Sequence, residues 1–266
     1  MTAATSAEAP SETTEVLPRR GGGFIRSNVG LILAPVGIAL IGLWLANYIR
    51  STDQDDSTIQ RSLEWDSVLF PQLKEHVYIT FWSTVFVILI AVPLGILLTR
   101  PNYKRLSGPV LAVATSGQAT PAFGLLVLSL AWIGRDAWTT IWALTLFTIL
   151  PVLRNTMVGI DQVDPAVIEA GRGMGLTRSQ ILKRIELPLA VPVILAGVRT
   201  ALVINVGMAA LAYLVGGGGL GITIGRGIAL NRDPVLLAAT LMTALVALSV
   251  DWIAAVVERV LRPRGL

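Results

Sequence analysis

The sequence predicts an all-α membrane protein that crosses the bilayer six times, and three observations carry the prediction. Of its 266 residues, 53% are apolar and only 14% charged, where a soluble globular domain carries about 25% charged residues. Mean hydropathy is +0.69. The apolar residues gather into runs of about 20 or more, the length that crosses a hydrocarbon core roughly 30 Å thick. Such a composition excludes a cytosolic enzyme, a disordered scaffold and a nucleic-acid binder, so the formal charge of +4 belongs to membrane flanks in contact with lipid. With no cysteine in the chain, disulfide frameworks, thiolate zinc sites and iron–sulfur clusters are excluded as well.

Taken in order, residues 1–28 are rich in Ala, Ser, Thr, Glu, Pro and Gly and hold no aliphatic cluster to offset the entropy of ordering them. They read as a disordered tail. The first apolar run, 29–49, follows Arg19, Arg20 and Arg26 as a signal peptide would, but at 1.5 Å per residue it spans about 31 Å and no A-x-A site follows. It reads as a retained spanning helix. Residues 50–74, with Asp53, Asp55, Asp56, Glu64 and Asp66, are too polar for lipid and form a linker in water. Further spans are expected at 75–99, 109–133, 138–160, 187–215 and 234–257, before a short tail at 261–266. Pro93, Pro121, Pro151 and Pro192 interrupt these runs without demoting them, because membrane helices find other partners for the freed backbone groups.

Lys and Arg set the orientation. Fourteen fall in one alternating set of connections and six in the other, with Arg199 left inside a span. The richer set faces the cytoplasm, so both termini lie inside. Trp44, Tyr48, Tyr78, Trp82, Trp132, Trp138 and Trp142 then fall toward the outer boundary and Trp252 toward the inner one. An interfacial belt accounts for them better than a role in stacking on substrate.

The connection from Asp161 to Glu186 carries the most information. Asp164 before Pro165 is an N-cap with proline at the first helical position, Gly175 is a helix-ending glycine, and Thr177 with Gln180 forms a capping box that opens a second helix. The product is a helix-turn-helix whose Val167, Ile168, Ile181, Leu182 and Ile185 alternate with Arg172, Arg178, Lys183 and Arg184. Composition leaves two readings open: a surface for a cytoplasmic partner, or a hairpin lying on anionic lipid.

Spacing goes further. Glu169, Ala170 and Gly171, then Gly175, Ile185 and the Leu187–Pro188 pair resemble the EAA signature of permease subunits of bacterial binding-protein-dependent ABC importers. One position departs, Gly171 standing where the family usually has a second alanine, and glycine loosens a helix by roughly 1 kcal/mol. The stretch from Leu187 to Gly221 and that from Val92 to Pro101 look like permeases of osmoprotectant importers, which carry glycine betaine, choline, carnitine and related amines. Methionine-type permeases are a poorer match around Gly197, Arg199, Thr200 and Asn205. The resemblance implies a type I importer core of the MetI-like kind at 75–260, with 29–49 as an extra N-terminal helix and 161–188 as the coupling loop. It also implies residence in the bacterial inner membrane, a separate ATPase chain that holds ATP and Mg, a second permease chain, and an extracytoplasmic binding protein. No G-x-x-x-x-G-K-[ST] occurs in the chain itself, which assigns ATP hydrolysis to that other polypeptide.

Among the remaining residues, Arg199 at mid-helix costs about 2.5 to 3.5 kcal/mol on insertion scales and must face a partner or water. It is expected either at the pathway or a subunit seam with Asn205, or in a structural ion pair. Asp251 is expected to pair with a cytoplasmic base or to face water. Gln118, Thr120 and Pro121 place polar groups and a helix break in the third span, as a local kink or as pathway groups. Gly216, Gly217, Gly218, Gly219 and Gly221 formally contain G-x-G-x-x-G, but after a membrane helix and not after a strand, so they read as a flexible outer turn. In the family this turn borders the outer gate, before a short helix near 222–230. His76 stands alone at a helix start, which argues against a metal site. No catalytic set is assembled, so a membrane enzyme is disfavoured. An ion-coupled secondary transporter would need several ionisable midplane residues, where Arg199 is the chief one.

Overall fold

The computed structural model describes residues 24–52 and 56–261; the tails expected at 1–28 and 261–266 lie almost wholly outside them. The described residues form helices and no strand. Helices α1 (Phe24–Ser51), α3 (Phe70–Leu98), α6 (Ala137–Asp161), α9 (Leu187–Ala209) and α11 (Asp233–Leu261) are long enough to cross a bilayer. Between them lie α2 (Ser57–Ser62), α4 (Ser107–Ala119), α5 (Ala122–Ile133), α7 (Pro165–Gly173), α8 (Arg178–Ile181) and α10 (Gly221–Ala229).

Helix α6 is the centre, with α3 and α9 packed along it, α4 and α5 on its flank, α11 beyond α9, and α1 outermost on α11. Small residues permit the closest approaches. A Cβ on Gly95 would stand 2.7 Å from Thr156 Cβ, and one on Gly197 would stand 2.7 Å from Asn155 Cβ. In lipid, where no water-driven force joins helices, such van der Waals seams drive association. Three threonines of α6 fit the same plan: Thr145, Thr148 and Thr156 hydroxyls reach their own helix's carbonyls at Ile141, Leu144 and Val152, all at 2.7 Å. A polar side chain is thereby buried without an unmet donor.

Several boundaries differ from expectation. The expected third span is broken into α4 and α5, bent by 101°. Pro121 has no N–H to give and forces Thr120 to extended backbone at ψ 135°, while the Thr120 amide and hydroxyl both turn back to the Ser116 carbonyl. The fifth helix stops at Ala209 and continues only as a 3₁₀ turn, Ala212–Val215. Residues 50–74 are largely helical: α2, a π-helical turn at Trp65–Leu69, and the start of α3.

The carboxylate of Asp56 caps α2, accepting from the Thr58 amide at 2.8 Å and the Ile59 amide at 3.4 Å, and it meets Arg232 Nε at 3.0 Å. The Thr58 amide first, then Ile59 and Arg232, hold its pKa below the usual aspartate value against an opposing cost of desolvation. A depressed carboxylate contributes stability that is complete above about pH 4 and is lost as pH falls through its folded pKa. Hydrogen exchange at the Thr58 and Ile59 amides is therefore expected to gain a step below pH 4 that Asp56→Ala removes; an identical profile in the variant would refute the cap.

Candidate functional site

The C-terminal ends of α3, α6 and α11 and the N-terminal end of α9 gather at one end of the bundle. The α1 start joins them through the Trp252 Nε1 donor on the Leu31 carbonyl at 2.8 Å. Both described termini thus share the end that carries α7 and α8. There the Asp164 carboxylate accepts from the Ala166 amide at 2.8 Å, Gly175 takes φ +79°, and the Thr177–Gln180 box closes in both directions.

Helix α7 turns Ile168 and Gly171 inward and leaves Val167, Glu169, Ala170 and Met174 exposed, Met174 by 73%. The spacing of Val167, Ala170 and Met174 sets one apolar stripe on the outer face. Gly171 acts differently from the loosening expected of it. It is buried, and a Cβ there would lie 2.7 Å from Ile185 Cδ1, so its missing methyl lets Ile185 seat α7 on the root of α9. Leu187 and Pro188 open α9, following a π-helical turn at Leu182–Glu186.

Beside this loop stands a pair that sequence reasoning missed. Arg100, at the end of α3, grips buried Glu186 with two donors, Nη2 to Oε2 at 2.5 Å and Nη1 to Oε1 at 3.3 Å. The fork fixes the α7–α8 loop to two spanning helices at once. An 820 Å³ cleft opens alongside, with Arg100, Arg172 and Arg178 on its walls.

Arg199 and Asn205 are not brought together. Arg199 forms a two-pronged pair with Asp251 of α11 at 2.5 and 2.6 Å, and Glu258 lies 3.9 Å away. Asn205 is fully buried; its amide donates to Thr84 Oγ1 at 3.0 Å, and its carbonyl stands 3.1 Å from Thr148 Oγ1. It is a polar pin through α3, α6 and α9. His76 is a second pin: it is fully buried within α3, and its Nε2 donates to the Val206 carbonyl at 3.0 Å. Gln118 and Thr120 sit half-buried at the α4–α5 break.

At the opposite end, Gly216, Gly218 and Gly219 take φ of +80°, +82° and +83°, a region open to glycine at little cost. The Glu75 carboxylate accepts from the Gly219 amide at 2.9 Å. Cβ atoms on Gly217 and Gly221 would overlap Thr140 Oγ1 and the Ala210 carbonyl. The turn is a packed joint between α3, α6, α9 and α10. Nearby, Trp82 and Phe86 of α3 meet Trp138 and Trp142 of α6 in one aromatic group, Phe86 and Trp142 stacking at 4.9 Å.

Comparison with known proteins fits this geometry. Residues 91–263 match the family described as binding-protein-dependent transport system inner membrane component. The glycine betaine/carnitine/choline transport system permease protein OpuCD of Bacillus subtilis is 42% identical over 71% of this chain and 82% of its own. The osmoprotectant import permease protein OsmW of Salmonella typhimurium is 38% identical over 72% of this chain and 91% of its own. Among solved structures, an inward-facing MetNI methionine ABC transporter chain superposes with a TM-score of 0.65 at 24% identity, covering 73% of this chain and 96% of that one. An all-helical, multi-pass bundle whose matched region takes in the α7–α8 loop and the glycine turn places the chain among the inner-membrane components of binding-protein-dependent transport systems, as a permease similar to those of osmoprotectant importers.

Proposed function

We propose that this chain forms the translocation pathway of an ATP-driven importer for a quaternary amine or betaine-type osmoprotectant, together with a second permease chain. A separate ATPase, holding ATP and Mg, engages α7 and α8 on the cytoplasmic side, where both termini also lie. An extracytoplasmic binding protein delivers solute at the glycine-turn end. The observation that carries this reading is the outward stripe of Val167, Ala170 and Met174 on a short helix anchored through Gly171, Ile185 and the Arg100–Glu186 fork. Apolar side chains on a rod outside the bundle suit a groove on a partner, and the anchoring lets the partner's movement shift α3 and α9 as a unit. The solute class rests on the similarity to glycine betaine/carnitine/choline and osmoprotectant permeases.

Residues of the coupling loop are then Glu169, Ala170, Gly171, Gly175, Ile185, Leu187 and Pro188. Met174→Asp or deletion of residues 166–182 is expected to abolish copurification of the ATPase and to cut uptake of radiolabelled glycine betaine, choline and carnitine by about 100-fold. Undiminished ATPase association in the deletion would refute the coupling role. Uptake of methionine in place of the amines would overturn the solute class alone.

A further inference from the structure

Helices α6 and α9 meet where a Cβ on Gly197 would stand 2.7 Å from Asn155 Cβ and 2.9 Å from the Pro151 carbonyl. They meet again nearer the cytoplasmic end, where a Cβ on Gly159 would stand 3.1 Å from the Ala190 carbonyl. The two helices run antiparallel, and in such a pair the residue just before each contact residue turns to the same side of the seam. Arg154 and Val158 of α6 therefore share a side with Ala196 of α9, and Thr200, Val203 and Gly207 continue the line of Ala196 at helical spacing. All six are exposed. On its other flank α6 meets α4 at Leu146, whose carbonyl is 3.5 Å from a Cβ on Gly117. At about 100° per residue, Arg154 lies roughly 80° on from Leu146 and 100° short of Asn155. It stands in the open sector between the two seams.

Arg154 is the charged residue of that sector. It lies within a span, about 10 Å from the cytoplasmic end of α6, and no described carboxylate pairs with it. Arg199 differs on both counts: it is paired with Asp251, and it lines the space between α3, α9 and α11. An exposed, unpaired guanidinium inside a span faces water or an anionic partner, because lipid tails offer it neither. The outer helices present another surface altogether, with Leu40 and Leu43 of α1 and Ile253 and Val260 of α11 exposed. Across from Arg154, the small side chains of Ala196, Thr200 and Gly207 leave width for a solute and carry no charge of their own.

Building on the importer reading, we propose that Arg154 is the pathway's contact for a solute carboxylate. The preferred solutes are then quaternary amines that also carry a carboxylate, such as glycine betaine and carnitine. A guanidinium holds a carboxylate with two parallel hydrogen bonds. Choline has no anionic group to offer and its cation is repelled.

The test is uptake by the complete transporter, with its ATPase and binding protein, in proteoliposomes supplied with ATP. Arg154→Gln is expected to lower the maximal rate for glycine betaine and carnitine about tenfold, with half-saturation unchanged because the binding protein sets it, and to leave choline at or above the parental rate. Arg154→Lys keeps the charge without the fork, and its ratio of glycine betaine to choline uptake is expected to fall only about threefold. ATPase copurification reports whether each variant is assembled. Equal loss for all three solutes in an assembled Arg154→Gln complex, parental glycine betaine uptake in it, or wild-type uptake of choline alone would each overturn the carboxylate contact and leave the importer reading in place. Should Arg154→Gln fail to assemble, Arg154→Lys decides: a lowered ratio supports the contact and an unchanged one overturns it. Wild-type uptake of none of the three would refute the amine reading on which this one rests.

Discussion

Gly221→Ala is expected to destabilise the protein by about 3 kcal/mol or more and to lower its melting temperature in detergent by several degrees. The added methyl would overlap the Ala210 carbonyl and stand 2.9 Å from Tyr213 Cδ1. A flexible side-chain end could rotate away, but a main-chain carbonyl at the end of α9 cannot. The path of the chain is fixed from the other side too, by three glycines at positive φ and by the Glu75 carboxylate on the Gly219 amide. Gly207→Ala supplies the contrast. Its Cβ meets nothing within 4 Å, and alanine is the better helix former by roughly 1 kcal/mol, so that variant should melt no lower than the parent. Equal melting of the two variants would show that the turn yields, and the reading of it as a packed joint would fail.

Asp251→Ala is expected to cost about 1 to 3 kcal/mol by leaving Arg199 without its two-pronged partner. An unpaired arginine at a helix centre costs about 2.5 to 3.5 kcal/mol on insertion scales, reduced here because the two side chains are 39% and 34% exposed and Glu258 is within 3.9 Å. The double variant Arg199→Leu, Asp251→Leu should regain stability to within about 1 kcal/mol of the parent, since it removes both members of the close pair and leaves only the partly exposed Glu258 carboxylate, 3.9 Å from Arg199 in the parent, without its cation. A double-mutant cycle on thermal melting measures the coupling. Uptake in the same double variant separates the two readings that the sequence left open. Parental uptake marks a structural pair, and altered solute preference marks a residue on the pathway.

What the sequence disclosed follows the range of the interactions. The α7–α8 loop was legible in detail because its determinants are local: Asp164 caps the next turn, Gly175 ends it, and Thr177 and Gln180 are three residues apart. The spanning helices were legible from apolar length alone. Arg100 and Glu186 stand 86 residues apart, and neither carries a local sign of the other; Asp251 likewise gave no indication that Arg199 was its partner. Glycine was the least legible residue. Gly171 reads in isolation as a weakened helix, and only the position of Ile185 shows it to be a contact. The Thr120–Pro121 break was legible as an interruption, but its 101° bend depends on where α6 holds each half.

That bend has a consequence for the bilayer itself. At 1.5 Å per residue, α4 and α5 are only about 20 and 18 Å long, and the turn between them strands the last carbonyls of one rod and the first amides of the other. Hydrocarbon offers such groups nothing, and each left bare costs several kcal/mol. The elbow at Thr120 must therefore be wetted or sheathed by protein, and acyl chains cannot close directly around it.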